Sequence, residues 1–171
     1  MSEITLRTFS EEEYHDFFRH YEPDPWTSPP YRYDREQVSR SYRYNHGGFR
    51  PDYAHFGVFE GNEPVGSFQL KRIDPEKKTC EFGIILLNEE KRGRGIGPEA
   101  IRLGLEIARD RYHVDTVYGD TMGRNERMRR VFLKTGFEQI ETVKDAFTLW
   151  NGEKEDRLVF RIRLSAPKEE C

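Results

Sequence analysis

The chain has 171 residues and a mass of 20.4 kDa, the usual size of one folding unit, so a single domain over residues 1–171 around one hydrophobic core is expected. Hydrophobic and charged residues each make up 35%, but aromatics reach 13%, more than a disordered chain carries. Twenty-eight basic residues against 31 acidic ones leave a net charge of -3, which removes the electrostatic case for wrapping nucleic acid or adhering to an anionic membrane.

In chain order, Ile4 to Thr8 reads as a short strand, and Ser10 with Glu13 three residues on forms a capping box that opens a helix through about Tyr21. Met1 to Ser10 lacks the apolar stretch of a signal peptide, so a soluble, cytoplasmic protein is expected. Pro23, Pro25, Pro29 and Pro30 force a long loop before Asp34 caps a second helix over Arg35 to Asn45, ended by Gly47 and Gly48. Ala54 to Phe59 and Val65 to Ile73 alternate around Gly61-Asn62, a hairpin signal, and Thr79 to Leu87 adds a third strand after a turn. The longest apolar run, Ile84 to Leu87, lies in that strand and is far too short to cross a bilayer.

Gly95 to Arg111 places Ile96, Ala100, Leu103 and Ile107 on one helical stripe that faces a core. Thr116 to Thr121 is strand-like, Asn125 caps a helix through Lys134, and Gly136 stands where a helix end wants a left-handed residue. Two closing strands are expected at Phe137 to Val143 and Leu158 to Leu164, with a frayed tail from Pro167 to Cys171. The order is one strand, two helices, three strands, then helix, strand, helix and two strands: an α/β chain of the α+β type. Its two cysteines, Cys80 and Cys171, supply neither a disulfide framework nor a zinc-ligand spacing, so no metal site is expected.

The chemistry-bearing segment is Arg92-Gly93-Arg94-Gly95-Ile96-Gly97, set between a strand end and an amphipathic helix. Free backbone N–H groups and the helix dipole attract phosphate there, and glycines let an anion approach the backbone closely. No Gly-x-x-x-x-Gly-Lys-Ser/Thr is present, and the glycine spacing does not fit the dinucleotide fingerprint. The segment is also too short and isolated for an RGG-type RNA tail, which together with the net charge disfavours an RNA-binding reading of Lys91 to Gly95.

Arg92-x-x-Gly95-x-Gly97 resembles the Gln/Arg-x-x-Gly-x-Gly/Ala signature of the GNAT superfamily, the acyl-CoA-dependent N-acetyltransferases. Upstream, IDPEKKTCEFGIIL resembles the family's hairpin and fourth strand; downstream, NERMRRVFLKTGFEQ resembles its Asn-led helix ending in Lys-x-Gly-Phe. The resemblance covers about Ala54 to Gln139, with spacing nearest the branch of ribosomal-protein N-terminal and polyamine acetyltransferases. It implies a GNAT-like mixed, mostly antiparallel sheet of about seven strands flanked by about four helices.

By that resemblance, acetyl-CoA is the acyl donor, with its pyrophosphate on the backbone of Arg92, Gly93, Arg94, Gly95, Ile96 and Gly97 and charge-assisted contacts from both arginines. The family splays its fourth and fifth strands, so pantetheine pairs with the free edge of Ile85, Leu86 and Leu87, where a backbone N–H polarises the thioester carbonyl. Glu81 stands at the family's catalytic-glutamate register and is the candidate base that deprotonates an ammonium; otherwise it is a strand residue paired with Lys71 or Lys78. Asn125 matches the cofactor-contacting Asn and is also a plain N-cap. Phe132 occupies the position where many members carry the Tyr that reprotonates CoA, which leaves the general acid unassigned; water or Tyr118 are substitutes. Cys80 reads as a small core residue rather than an acyl carrier.

In this family the first two helices and their connection roof the acceptor site. Of nine aromatics between Tyr14 and Tyr44, three, namely Trp26, Tyr31 and Tyr33, lie on the Pro-rich loop and are the candidate acceptor-binding residues. The expected activity is acetyl transfer from acetyl-CoA to a primary amine by direct attack in a ternary complex. The acceptor is a small amine, an antibiotic or a protein N-terminus. The alternative is an acyl-CoA-binding module without turnover, motivated by Phe132. The strands around Trp150 to Leu164 offer an edge for a homodimer.

Overall fold

The structure is a computed structural model that describes residues 2–165; Cys171 and the expected frayed tail lie outside the described residues. Ile4–Arg7 forms β1, followed by helices α1 (Glu11–His20) and α2 (Arg35–His46). Three strands follow, β2 (Ala54–Glu60), β3 (Glu63–Asp74) and β4 (Thr79–Leu86), then helix α3 (Ile96–Asp110), β5 (Thr116–Met122), α4 (Glu126–Lys134), β6 (Glu138–Thr148) and β7 (Lys154–Arg163). One 3-10 turn over Glu89–Lys91, capped by the Asn88 side chain, has no forerunner in the sequence reading. The seven strands form one sheet in the order β1-β2-β3-β4-β5-β7-β6, antiparallel throughout except where β4 meets β5.

Local chemistry accounts for the element ends. Ser10 accepts from the Glu13 N–H while the Glu13 carboxylate accepts from the Ser10 N–H, so the capping box fixes where α1 begins. Arg7, at the end of β1, donates to both Glu13 oxygens, at 2.9 and 2.6 Å, and these bonds hold the Glu13 carboxyl down at about 2. Asp34 caps α2 by accepting from Gln37, and Asn125 caps α4 by accepting from Met128.

Helices cover both faces of the sheet. On one face α3 and α4 bury Ile96, Ala100, Ile101, Ala108 and Phe132 against Val58, Phe68, Phe82, Val117 and Phe160. On the other, α1 and α2 bury Tyr14, Phe17 and Val38 against Phe9, Phe59 and Leu87. β2 lies beneath both layers, so Ala54 to Phe59 are buried in succession rather than alternately. β6 is the opposite case: an edge strand with nearly every residue exposed, bulged between Gln139 and Glu141 and again between Val143 and Phe147.

That exposure explains the largest difference from the sequence reading. β6 runs to Thr148, five residues beyond the expected end, and β7 starts at Lys154 rather than Leu158. A strand wet on both faces has no apolar alternation to mark its length.

α3 approaches β3 most closely at Gly104, where an added methyl would overlap the Phe68 ring, itself fully buried. Gly104→Ala should therefore lower stability by about 1–3 kcal/mol through overpacking, although Ala is the better helix former. Thermal denaturation reads the loss; an unchanged or raised midpoint would show that the helix shifts without cost.

Candidate active site

The site grows from a fork in the sheet. β4 and β5 pair in parallel at only three positions, Thr79 with Thr116, Cys80 with Val117 and Glu81 with Tyr118. Beyond these, β4 stays with β3 as far as Gly66 with Leu86, while β5 stays with β7 as far as Met122 with Arg157. Each strand keeps its outer partner, and the gap between them opens toward their C-terminal ends.

The cleft has a volume of about 460 Å³ and is lined by Ile84, Ile85 and Leu86 of β4, by Arg92, Gly93, Gly95 and Gly97 of the loop that follows, and by Met128 and Val131 of α4. The Leu87 N–H donates to the Val65 carbonyl on β3. Backbone groups alternate along a strand, so Ile85 and Leu87 turn theirs toward β3 and Ile84 and Leu86 turn theirs to the open edge. This corrects the expected edge of Ile85 to Leu87: the polar groups facing the cleft belong to Ile84 and Leu86. The Leu87 carbonyl is occupied as well, accepting from the Glu22 N–H at 2.8 Å.

At the mouth, Gly93 and Gly95 have φ of +73° and +84°, left-handed values that favour glycine, and Gly95 is the N-cap of α3 without a side-chain cap. A Cβ at Gly93, Gly95 or Gly97 would meet nothing within 4 Å, so the backbone there borders open space. Pro98 in the first turn has no N–H to satisfy. These features suit an anion such as a pyrophosphate. Ile96 contributes only backbone, because its side chain is fully buried.

The two arginines of the motif differ in placement. Arg92 lines the cleft and ties its walls together, donating to the Glu22 carbonyl at 3.0 Å and to Glu89 at 3.2 Å. Arg94 reaches Glu60 at 3.3 Å and does not line the cleft. Positive charge comes instead from α4, where Arg127, Arg130 and Lys134 line the cleft. The sequence reading missed this trio, although positions 127, 130 and 134 fall on one helical stripe.

Glu81 stands at the last paired position of the fork, in an ion pair with Arg72 at 2.5 Å, and does not line the cleft. Asn125 lines the cleft and caps α4, so its two readings are compatible. Phe132 is 1% exposed and stacked on Phe160 at 4.2 Å, part of the apolar floor with Phe82 and Phe137. Burial pushes the Cys80 thiol up to about 12, which keeps it from acting as a nucleophile.

A second hollow, of about 830 Å³, adjoins the cleft and shares Asp24, Thr27, Asn125, Arg127 and Arg130 with it. Its walls are the α1–α2 loop, with Trp26, and the β6–β7 turn, with Trp150. Of the three expected acceptor residues, only Trp26 lines it. Tyr31 packs on Phe18 and Tyr21, and Tyr33 hydrogen-bonds His15 at 2.7 Å, so both support the helical layer instead. Trp150, read from the sequence only as the start of a dimer edge, was not expected beside Trp26 because it lies more than a hundred residues away, on a hairpin turn.

A model of the acetyltransferase (GNAT) domain matches residues 3–138, most of the chain. The chain belongs to the GNAT acetyltransferase family. As such it is an acetyl-CoA-dependent N-acetyltransferase, an enzyme that moves an acetyl group to an amine. No curated protein matches the sequence. Among solved structures, a chimera of the Vibrio cholerae spermidine N-acetyltransferase and hSSAT superposes with a TM-score of 0.83 at 18% identity, covering 95% of this chain and 96% of that one. The Vibrio cholerae spermidine N-acetyltransferase in complex with CoA and spermine gives 0.75 at 19% identity, covering 94% and 95%. A probable acetyltransferase gives 0.77 at 19%, covering 94% and 92%. At these identities the likeness is one of fold.

The layer over this GNAT site contains a relay of neutral histidines. The His46 Nδ1–H donates to the Tyr42 carbonyl, the His55 Nδ1–H donates to His46 Nε2 at 3.3 Å, and His55 Nε2 accepts from the Ser67 hydroxyl at 2.6 Å. Burial holds His55 down at about 3 and lowers His46. The unfolded chain takes up a proton near the ordinary 6.5, whereas the folded one resists to about 3, so this contribution to stability is complete above 6.5 and declines as pH falls below it. Urea midpoints between pH 7 and 5 should fall more steeply for the wild type than for His55→Gln; equal slopes would remove the relay from the acid response.

Proposed function

We propose that acetyl-CoA lies in the fork with its pyrophosphate on the backbone from Arg92 to Gly97, and that the acceptor amine enters from the hollow between Trp26 and Trp150. The observation that carries this reading is the three-residue pairing of β4 and β5, which leaves the Ile84 and Leu86 backbone groups exposed beside a glycine loop and a cationic helix face. Acetyl-CoA supplies an activated thioester. The chain holds the anion, aligns the donor along the open edge and offers a strand N–H to the carbonyl oxygen.

Glu81 is the proposed base, supported by its position at the root of the fork. A protonated amine has no lone pair, so attack requires a group that takes its proton. Glu81→Gln should lower kcat by at least about a hundredfold and leave stabilisation by acetyl-CoA intact. An unchanged kcat would return Glu81 to the role of a strand residue paired with Arg72.

Phe132 places no hydroxyl where the family commonly has one, so the CoA thiolate takes its proton from water or from another group. Thiol release with a panel of primary amines reads this turnover directly; stabilisation by acetyl-CoA with no CoA released from any amine would contradict it. The same proposal includes a cytoplasmic location and a homodimer; the expected edge does not lie on β7, which is paired with β5 on one side and β6 on the other, so the exposed strand open to a second copy is β6. Vibrio cholerae spermidine N-acetyltransferase, a structural neighbour, is dodecameric.

The donor site is tested with Gly97→Asp. Gly97 lies in the first turn of α3 with open space around it, so an aspartate there is compatible with the helix dipole in the free protein and repels a pyrophosphate. Acetyl-CoA at a hundredfold excess over its Kd should stabilise the wild type by about 2.7 kcal/mol and the variant far less. Equal midpoint shifts in the two proteins would place the anion elsewhere.

A further inference from the structure

The hollow beside the fork carries four carboxylates and three guanidinium groups, from Asp24, Glu126, Glu153 and Glu155 against Arg124, Arg127 and Arg130. Most of that charge is already paired. Arg124 donates to Glu153 at 2.7 Å and to Glu155 at 2.9 Å, and its own N–H donates to Glu155 at 3.0 Å. Arg127 is held by Glu89, outside the hollow, at 2.8 Å, and among the described residues Asp24 and Glu126 pair with no cation, so the hollow attracts an ammonium.

The apolar part of the hollow points the same way. Trp26 and Trp150 are 75% and 65% exposed, on two different loops, and both line the hollow. Two exposed indoles lining one cavity offer stacking surface for a planar body and a cation–π surface for an ammonium. Arg124 joins the two loops: besides gripping Glu153 of the β6–β7 turn and Glu155 at the start of β7, it reaches within 3.5 Å of the Trp26 carbonyl on the α1–α2 loop. It also immediately precedes Asn125, the cap of α4 at the cleft. At about 830 Å³ the hollow has room for a body of drug-like size.

We infer that the acceptor is a primary amine with an aromatic body, held against Trp26 and Trp150. This rests on the proposal that the hollow is the acceptor entrance. Arg124 ties the loop that carries Trp26 to Glu153 and Glu155, which follow Trp150 in the chain.

The test is steady-state CoA release at saturating acetyl-CoA with 2-phenylethylamine, n-hexylamine and spermidine as acceptors. 2-Phenylethylamine should exceed spermidine in kcat/KM by at least about tenfold, with n-hexylamine between them. Trp26→Ala and Trp150→Ala should each raise KM for 2-phenylethylamine by roughly fivefold to thirtyfold, with KM for acetyl-CoA unchanged. Trp150→Phe should retain most of the affinity. Preference for spermidine, KM values unmoved by both alanine variants, or no turnover of any of the three amines would overturn the inference. A midpoint shift with acetyl-CoA, measured on the same proteins, reports the donor site separately: if it persists, only the acceptor assignment has failed, and if it is absent in the wild type, the underlying reading fails with it.

Discussion

Three backbone pairings between β4 and β5 determine everything built around them. Had the parallel ladder continued past Glu81 and Tyr118, the sheet would have closed and the Ile84 and Leu86 backbone groups would have been consumed within it. The gap persists because each strand is committed on its outer side, β4 to β3 and β5 to seven successive partners on β7. An apolar floor of Phe82, Phe132, Phe137 and Phe160 fills the sheet beneath it. The unpaired edge that most sheet proteins hide is here, on the proposed function, the part of the fold that receives the donor.

Other features follow from that opening. α3 starts at the mouth of the fork, so its free N–H groups and the left-handed turns at Gly93 and Gly95 come to lie where the cleft opens to solvent. α4 crosses the other side and presents Arg127, Arg130 and Lys134. Arg92 spans from Glu22 to Glu89, and the Glu22 N–H caps the Leu87 carbonyl, so the α1–α2 loop is anchored to the end of β4 rather than left free above it. Phe132 belongs to this framework as a packing residue. The hydroxyl that the family often has at that position is traded here for a stacked Phe132–Phe160 pair.

Much of this was legible in the sequence because it is written in local chemistry. The Ser10–Glu13 box, the Asp34 and Asn125 caps, the hairpin at Gly61-Asn62 and the glycine loop each depend on residues within a few positions of one another. What was not legible depends on the third dimension. The length of β6 was hidden because a doubly exposed strand lacks periodicity, and Trp150 because its neighbour in space, Trp26, is remote in sequence. Tyr31 and Tyr33 looked like pocket residues on a loop, yet an aromatic beside a helical layer gains more by packing into it, as their contacts with Phe18, Tyr21 and His15 show. Which strand groups face the cleft turned on a single residue of register, set by the Leu87 to Val65 hydrogen bond.

Residue-resolved amide hydrogen exchange with and without acetyl-CoA tests the open edge of β4 most directly. The Ile84 and Leu86 amides should exchange faster than that of Ile85, which is held by β3, and should slow when acetyl-CoA is added while Ile85 hardly changes. Protection of Ile84 and Leu86 in the free protein, or no slowing at either on binding, would contradict the claim that the fork is where the donor lies.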